Sequence, residues 1–336
     1  MRRAVVLCTL PLSEAGQHML NEVADIVVAP NPNADTLRAM LADVDLLIVR
    51  THLPADLLER PHRLIGIVRH GAGLDMIPVA AATAQNIPVA NVPGANAQSV
   101  AEYCAGSFIA LARRFSAMDR DLRAQGWTVA RGLSDGTNEL ASKTVGIVGV
   151  GATGTALARI CHYGFGMRVL GYQPSTRSFP DFVERSDLGD LLQASDFVSL
   201  HCPLTPETRL LFNAARLAQM KPTAFLVNAA RGEIVDEAAL ARALAEGGVR
   251  GAAIDVFSRQ PLAPDHPFLT LDNVILTPHA AALTRESVDR MSIKAVQQVL
   301  QLLAGTPPDH LVNPEVWPRR RRWTGPANDL QKEITT

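Results

Sequence analysis

Three features of the sequence predict an α/β protein made of two doubly wound parallel-sheet domains, each sheet covered by helices on both faces. The first is length: 336 residues, at about 150 per domain, give roughly two domains. The second is a recurring short, apolar, β-branched run followed by a turn and then a helical pattern. Strands buried on both faces read that way, because every side chain along them needs an apolar neighbour. The third is a restart of the same alternation at Thr144. No internal repeat or low-complexity tract competes with this reading.

In the first run, strands are expected at residues 4–7, 26–28, 46–49 and 64–68, with a short one near Val89. Helical patterns at 35–41 and 78–85 separate them. A longer helix at 96–114 joins the two runs, with an apolar stripe at Val100, Cys104, Phe108 and Leu111 and a polar start, Gln98-Ser99, that offers a cap. The second run places strands at 144–150, 168–172, 196–200, 224–228, 251–255 and 274–276, with helices starting near Ala152, Leu188, Ala214 and Glu237. A final helix at 284–303 carries the chain back toward the first domain and is ended by Pro307-Pro308. The arginine run Arg319–Arg322 beyond it reads as a solvated tail.

Charge and cysteine content exclude several classes. Lys and Arg total 32 against 33 Asp and Glu, a net charge of −1, so the chain lacks the overall basic field that draws nucleic acid or an anionic membrane. The 4 cysteines form no CxxC pair, so neither a disulfide framework nor a zinc module is expected, and a reducing cytosol suits the chain. Met1-Arg2-Arg3 and the apolar run after it are read as a buried first strand and not as a targeting signal. No stretch approaches the roughly 18–20 apolar residues needed to span a bilayer. A cytoplasmic protein is the expectation.

The sharpest local signal is Gly149-Val150-Gly151-Ala152-Thr153-Gly154, a GxGxxG that closes a strand and opens a helix. Gly149 permits a tight turn, Gly151 removes a side chain where a pyrophosphate must approach, and Gly154 lets helix and strand pack closely. The amides of Ala152 and Thr153, at the positive end of the helix, would then hold the phosphates. The next strand decides which dinucleotide. An NAD site usually ends it with an acid that accepts from the ribose hydroxyls; here the position is Gln173. A neutral amide does not repel a 2′-phosphate, Ser175 and Thr176 can donate to one, and Arg177 can pair with it. NADP(H) is therefore favoured over NAD(H).

Three later segments lie at carboxyl ends of expected strands, where open α/β sheets bind ligands. They are Asn228-Ala229-Ala230-Arg231-Gly232-Glu233, then Gly251 through Asp255 to Gln260-Pro261, and Leu276-Thr277-Pro278-His279. With these segments the sequence resembles the D-isomer-specific 2-hydroxyacid dehydrogenases. Gly71-Ala72-Gly73-Leu74-Asp75, Asn91-Val92-Pro93-Gly94, Ser99-Val100-Ala101-Glu102 and His201-Cys202-Pro203-Leu204-Thr205 follow in family order, and the likeness runs from about residue 45 to 315.

The resemblance implies a Rossmann dinucleotide domain, residues 99–284, inserted into a flavodoxin-like substrate domain made of residues 1–98 and 285–336. It also implies a homodimer built largely on the dinucleotide domains. Arg231 would bind the carboxylate of a small 2-oxoacid and polarise its carbonyl, since its planar fork matches a carboxylate bidentately. His279 would protonate the carbonyl oxygen as hydride arrives, and act as base in the reverse direction. The backbone at Ala72 and Gly73 would hold the other carboxylate oxygen. Asp255 and Ala229 would position the nicotinamide and Val100 would line its pocket, while His201, Cys202, Pro203 and Thr208 complete the cofactor side. The product class is a D-2-hydroxyacid, with glyoxylate or hydroxypyruvate as the 2-oxoacid.

One position departs from the family. The residue before Pro261 is normally a glutamate paired with the histidine; here it is Gln260. A neutral amide orients the ring without attracting its charge, so His279 should be less basic than in relatives. Formate dehydrogenases resemble the chain in this glutamine, which gives a formate-oxidising alternative; nucleotide-sensing corepressors of the same fold give a non-enzymatic one. The remaining groups receive plainer readings. His18, His62, His162 and His310 are surface or core residues, His52 and His70 could border the substrate cleft, and Glu233 and Asp236 cap the helix near Glu237.

Overall fold

The structure is a computed structural model that describes residues 2–325. The chain divides into two compact units: one runs to Asn96 and resumes at Thr284, the other is Ala97–Leu283.

The first unit holds a five-stranded sheet of β1 (Ala4–Cys8), β2 (Ala24–Val28), β3 (Leu46–Val49), β4 (Gly66–Arg69) and β5 (Val89–Ala90), in the order β2-β1-β3-β4-β5. Every pair in it is parallel. Strand alternation feeds two cores, one on each face. Leu46 and Ile48 pack into one with Val6 and Val299, and Leu47 and Val49 into the other with Leu37 and Ile67. That two-sided demand is why these strands read as unbroken apolar runs.

The second unit holds β6 (Thr144–Val148), β7 (Arg168–Tyr172), β8 (Glu184–Arg185), β9 (Phe197–Leu200), β10 (Phe225–Asn228), β11 (Gly251–Ile254) and β12 (Val274–Leu276). Their order, β12-β11-β10-β9-β6-β7-β8, is again all parallel. Sequence order reverses between β6 and β9, the switch point at which dinucleotides bind in such sheets. The first sheet has the corresponding reversal between β1 and β3, in the flavodoxin-like order.

Several expectations need correction. The strand expected at 144–150 stops at Val148, because Gly149 turns the chain. Ser99 is no cap: it lies inside the helix Ala97–Arg113, buried, and its Oγ donates to the Ala281 carbonyl at 2.8 Å. The last helix, Arg285–Ala304, ends on Gly305 at φ +76° and not on the prolines. Arg319–Arg322 is not a freely solvated tail. Arg320 stacks 3.4 Å from the Trp317 ring and donates to the Gly305 carbonyl at 3.0 Å, and Arg321 donates to the His62 carbonyl.

Four elements escaped the sequence reading. The helix Glu14–Asn21 is short and is started by Ser13, whose side chain accepts from the Gly16 amide. Phe115–Gln125 and Trp127–Gly132 leave Phe115, Leu122 and Trp127 exposed, so no buried stripe marks them. Strand β8 is two exposed residues paired on one side only.

Candidate active site

The glycine turn is built as a phosphate-binding turn needs. Gly149 sits at φ +102°, and a Cβ there would come within 2.6 Å of the Cys202 amide nitrogen. A Cβ on Gly154 would lie 2.2 Å from the Gly149 carbonyl oxygen, so helix Ala152–Arg159 approaches β6 only because that side chain is missing. A Cβ on Gly151, by contrast, meets nothing within 4 Å. Packing does not require a glycine at 151; the open space over it, beside the first amides of a helix, is the form a diphosphate requires. The residues present fit a dinucleotide.

Gln173 follows directly on β7 and donates to Ser175 Oγ at 2.5 Å. Ser175, Thr176 and Arg177 are exposed. Sequence reasoning missed the residue that shapes this loop. Arg185, on β8, donates to the carbonyls of Gln173 and Ser175 at 3.3 and 3.2 Å and to that of Arg177, and its guanidinium lies 4.0 Å from the Phe179 ring. One side chain thus gathers three carbonyls and turns the loop's side chains outward.

At the carboxyl edge of the same sheet, β10, β11 and β12 are laced in series. The Asp255 amide donates to the Asn228 carbonyl at 3.0 Å, and the His279 amide donates to the Asp255 carbonyl at 2.7 Å. Asn228 is buried at the end of an apolar strand. Its side chain donates to the Arg231 carbonyl at 2.9 Å and accepts from the Ala230 amide at 3.1 Å, which shapes the turn carrying Arg231. The Arg231 guanidinium donates to the Ala230 carbonyl at 2.7 Å.

Asp255 does the corresponding work for His279. Its buried carboxylate accepts from Thr277 Oγ1 at 2.6 Å and from the amides of Ala280 and Ala281 at 2.8 and 2.9 Å. Thr277 spends its one hydrogen on Asp255, so the Tyr103 hydroxyl, 2.7 Å away, donates to Thr277. Burial pushes the Tyr103 phenol up to about 12, so it keeps that hydrogen at neutral pH. This clamp holds His279 at φ +56°, a left-handed backbone that costs of order 1–3 kcal/mol in a non-glycine residue. These bonds of Asp255 run to residues on either side of His279 in the chain.

His279 Nδ1 lies 3.0 Å from Gln260 Oε1, and Gln260 Nε2 lies 3.3 Å from the Phe257 carbonyl. A carbonyl only accepts, so the amide must turn its NH2 toward Phe257 and its oxygen toward the ring. Nδ1 therefore carries a hydrogen, which it donates to Gln260 Oε1.

The other expected residues are placed as follows. The His201 ring is half-buried and bonded to Ser199 Oγ at 2.9 Å; desolvation pushes its pKa down to about 4, so it is neutral. Cys202 adjoins Gly149, and burial pushes its thiol up to about 11. Thr208 closes the 203–208 turn by donating to the Pro203 carbonyl at 2.7 Å. Val100 is buried in the core of the second unit, and Ala229 follows β10 half-buried. Ala72 and Gly73 lie in the first unit after β4, where their carbonyls accept from Asn91 and Arg69 at 2.8 and 3.1 Å.

His70 is buried within the first unit against Ser292 Oγ at 2.9 Å, and desolvation with Arg50 and Arg69 nearby holds its pKa down at about 3. It is a neutral core histidine, whereas His52 is exposed. Asp236 alone caps the helix Glu237–Ala245, accepting from the Ala239 amide at 2.9 Å; Glu233 sits in the preceding 3₁₀ turn. Among the described residues, no group of three or more His, Cys, Asp or Glu could hold a metal ion, and no helix is long and apolar enough to cross a membrane.

Comparison with known proteins agrees with this fold. Residues 105–281 match the family described as D-isomer specific 2-hydroxyacid dehydrogenase, NAD binding domain. A glyoxylate reductase of Thermofilum pendens is 38% identical over 94% of this chain and 96% of its own. A D-3-phosphoglycerate dehydrogenase of Methanocaldococcus jannaschii is also 38% identical, over 92% of this chain, which spans 59% of that protein. Among solved structures, an NADPH-dependent glyoxylate/hydroxypyruvate reductase from Sinorhizobium meliloti, in complex with NADP and malonate, superposes with a TM-score of 0.82 at 27% identity. It covers 96% of this chain and 99% of its own.

Proposed function

The chain belongs to the D-isomer specific 2-hydroxyacid dehydrogenase family, and from that premise we propose that it reduces a small 2-oxoacid of the glyoxylate or hydroxypyruvate class to the D-2-hydroxyacid, with NADP(H) favoured over NAD(H). It is an NAD(P)-dependent oxidoreductase; the substrate class, the cofactor preference and the residue roles are the proposal. The observation that carries it is the lacing of Asn228, Asp255 and His279 at one sheet edge. Arg231 follows β10 and His279 follows β12, with one strand between. At about 4.8 Å per strand, their backbones emerge about 10 Å apart, a span suited to a molecule of a few heavy atoms.

Bound at the glycine turn, a reduced nicotinamide dinucleotide would supply the hydride. Arg231 would pair its guanidinium with the substrate carboxylate and draw electron density from the adjacent carbonyl. His279, protonated, would give the Nε2 proton to the carbonyl oxygen as that oxygen gains charge, and would finish neutral with Nδ1–H still held by Gln260. In the oxidative direction neutral Nε2 takes the proton back. The amides of Ala152 and Thr153 and the space over Gly151 would take the diphosphate. Exposed Ser175, Thr176 and Arg177, with no acid at 173, support the 2′-phosphorylated form.

A homodimer built on the 97–283 unit is part of the same reading. It is supported by the exposed apolar side chains Phe115, Leu122, Trp127 and Val129, the last two within three residues of each other. Sedimentation of the purified protein tests it.

The reading is tested by a panel of 2-oxoacids, with formate as the opposed case, each run with NADPH and with NADH. Oxidation of NADPH by glyoxylate or hydroxypyruvate, faster than of NADH, is expected. Nucleotide binding without turnover of any 2-oxoacid would contradict it.

A further inference from the structure

Gln260 sits on a loop between β11 and β12, and that loop is tethered at two points to a single carboxylate. Glu237 opens the helix Glu237–Ala245. Its Oε1 accepts from the Ser258 amide at 2.7 Å, and its Oε2 accepts from Ser258 Oγ at 2.6 Å. The same Oε2 lies 3.4 Å from His266 Nε2. His266 Nδ1 accepts from the Phe268 amide at 3.3 Å, so the ring hydrogen is on Nε2 and faces the carboxylate. The Glu237 and His266 side chains are each only 15% exposed, which shields the pair from competing water.

Ser258 precedes Gln260 by two residues and His266 follows it by six, so the amide that orients His279 lies inside the tethered stretch. The Phe257 carbonyl, which sets the orientation of the Gln260 amide, is bonded directly to the Ser258 nitrogen that Glu237 holds. An acid in the first turn of a helix ordinarily serves the helix dipole; this one reaches out of the helix, and Asp236 does the capping.

We propose that Glu237 is a positioning residue for proton transfer: through Ser258 and His266 it holds the loop so that Gln260 Oε1 meets His279 Nδ1 and keeps the proton-exchanging position at Nε2. This rests on the proposed role of His279. It differs from a general stabilising role in requiring that the effect of Glu237 pass through Gln260.

The test is a double-mutant cycle of Glu237→Gln and Gln260→Ala, read in two ways. The first reading is kcat for 2-oxoacid reduction. Glu237→Gln is expected to lower it about tenfold, with KM for the nucleotide within about twofold of wild type, and the double variant should be no slower than Gln260→Ala alone. The second reading is the tautomer of neutral His279, from its ring ¹⁵N shifts in nucleotide-free protein. Wild type should show hydrogen on Nδ1, and both single variants should lose that preference. Glu237→Ala should lose it more fully than Glu237→Gln; where Glu237→Ala does not fold, the isosteric variant alone decides. Additive losses in kcat, or an unchanged His279 tautomer in Glu237→Gln, would overturn the proposal. If wild type turns over no 2-oxoacid, the functional reading fails, and the tautomer measurement still decides the role of Glu237.

Discussion

His279 and Gln260 form a hydrogen-bonded pair, 3.0 Å from Nδ1 to Oε1, in which the acceptor is a neutral amide. Its orientation is set from behind by the Phe257 carbonyl. The imidazole is thereby aimed without the charge that a carboxylate partner would add.

Replacing Gln260 by glutamate supplies that charge. A carboxylate at the same distance favours the imidazolium, so the His279 pKa should rise by about one unit or more. With His279 as the proposed proton donor, reduction needs the protonated ring, so the alkaline limb of its pH profile should move upward by that amount. Oxidation needs the neutral ring, so its acidic limb should move upward as well. Profiles of kcat/KM in both directions check this; limbs that stay in place would show that Gln260 does not set the basicity of His279.

The glycine turn separates packing from ligand approach. Gly154→Ala drives a Cβ to 2.2 Å from the Gly149 carbonyl, and overpacking of that kind costs about 1–3 kcal/mol; a lower Tm is expected. Gly151→Ala meets no protein atom within 4 Å, so Tm should hold while the Kd for nucleotide rises about tenfold or more. Thermal melts with nucleotide titrations distinguish the two. Equal nucleotide affinity in Gly151→Ala and wild type would place the diphosphate elsewhere.

Cofactor preference should reside in Arg177 and Arg185 together. Arg177→Ala removes a direct partner of a 2′-phosphate, and a charge-assisted contact of about 1.5–3 kcal/mol corresponds to a roughly 10- to 100-fold loss in kcat/KM for NADPH. Arg185→Ala releases the carbonyls of Gln173, Ser175 and Arg177, and should raise KM for NADPH more than for NADH. The ratio of kcat/KM for the two nucleotides measures both effects, and a ratio unmoved by either change would contradict the NADP(H) preference.

Two desolvated histidines, buried His70 and half-buried His201, make the fold sensitive to acid. Folded His70 and His201 are held at about 3 and about 4, below the ordinary value of about 6.5 that they regain on unfolding. Between those values the unfolded chain binds more protons than the folded one, so stability falls as pH falls below about 6.5. His70→Gln removes one of these protons while leaving a polar partner for Ser292. Melting temperature against pH should be flatter in His70→Gln than in wild type from pH 6.5 to 4; parallel curves would contradict the assignment.

What the sequence discloses follows from how local each requirement is. Leu46–Val49 and Phe225–Asn228 are legible as strands because burial on both faces leaves no polar position. The glycine turn is legible because its three glycines fall at fixed offsets, and Arg231 and His279 because each follows a short apolar strand, β10 buried and β12 half-buried. Arg185, Tyr103 and Glu237 are not legible. Each acts through a partner that only the folded chain supplies, across 8 to 174 residues of sequence. A glutamate at a helix start has an ordinary local use that hides its reach. Asp255 shows the same limit, since the three donors on its carboxylate come from 22 to 26 residues downstream.

The proposed proton-transfer role of His279 is tested most directly by comparing wild type with His279→Gln in the reduction of hydroxypyruvate, with nucleotide affinity measured on the same samples. Wild type is expected to form the D-2-hydroxyacid; the variant should bind nucleotide equally well and lose about 10²- to 10⁴-fold in kcat. Undiminished kcat in His279→Gln would contradict the account.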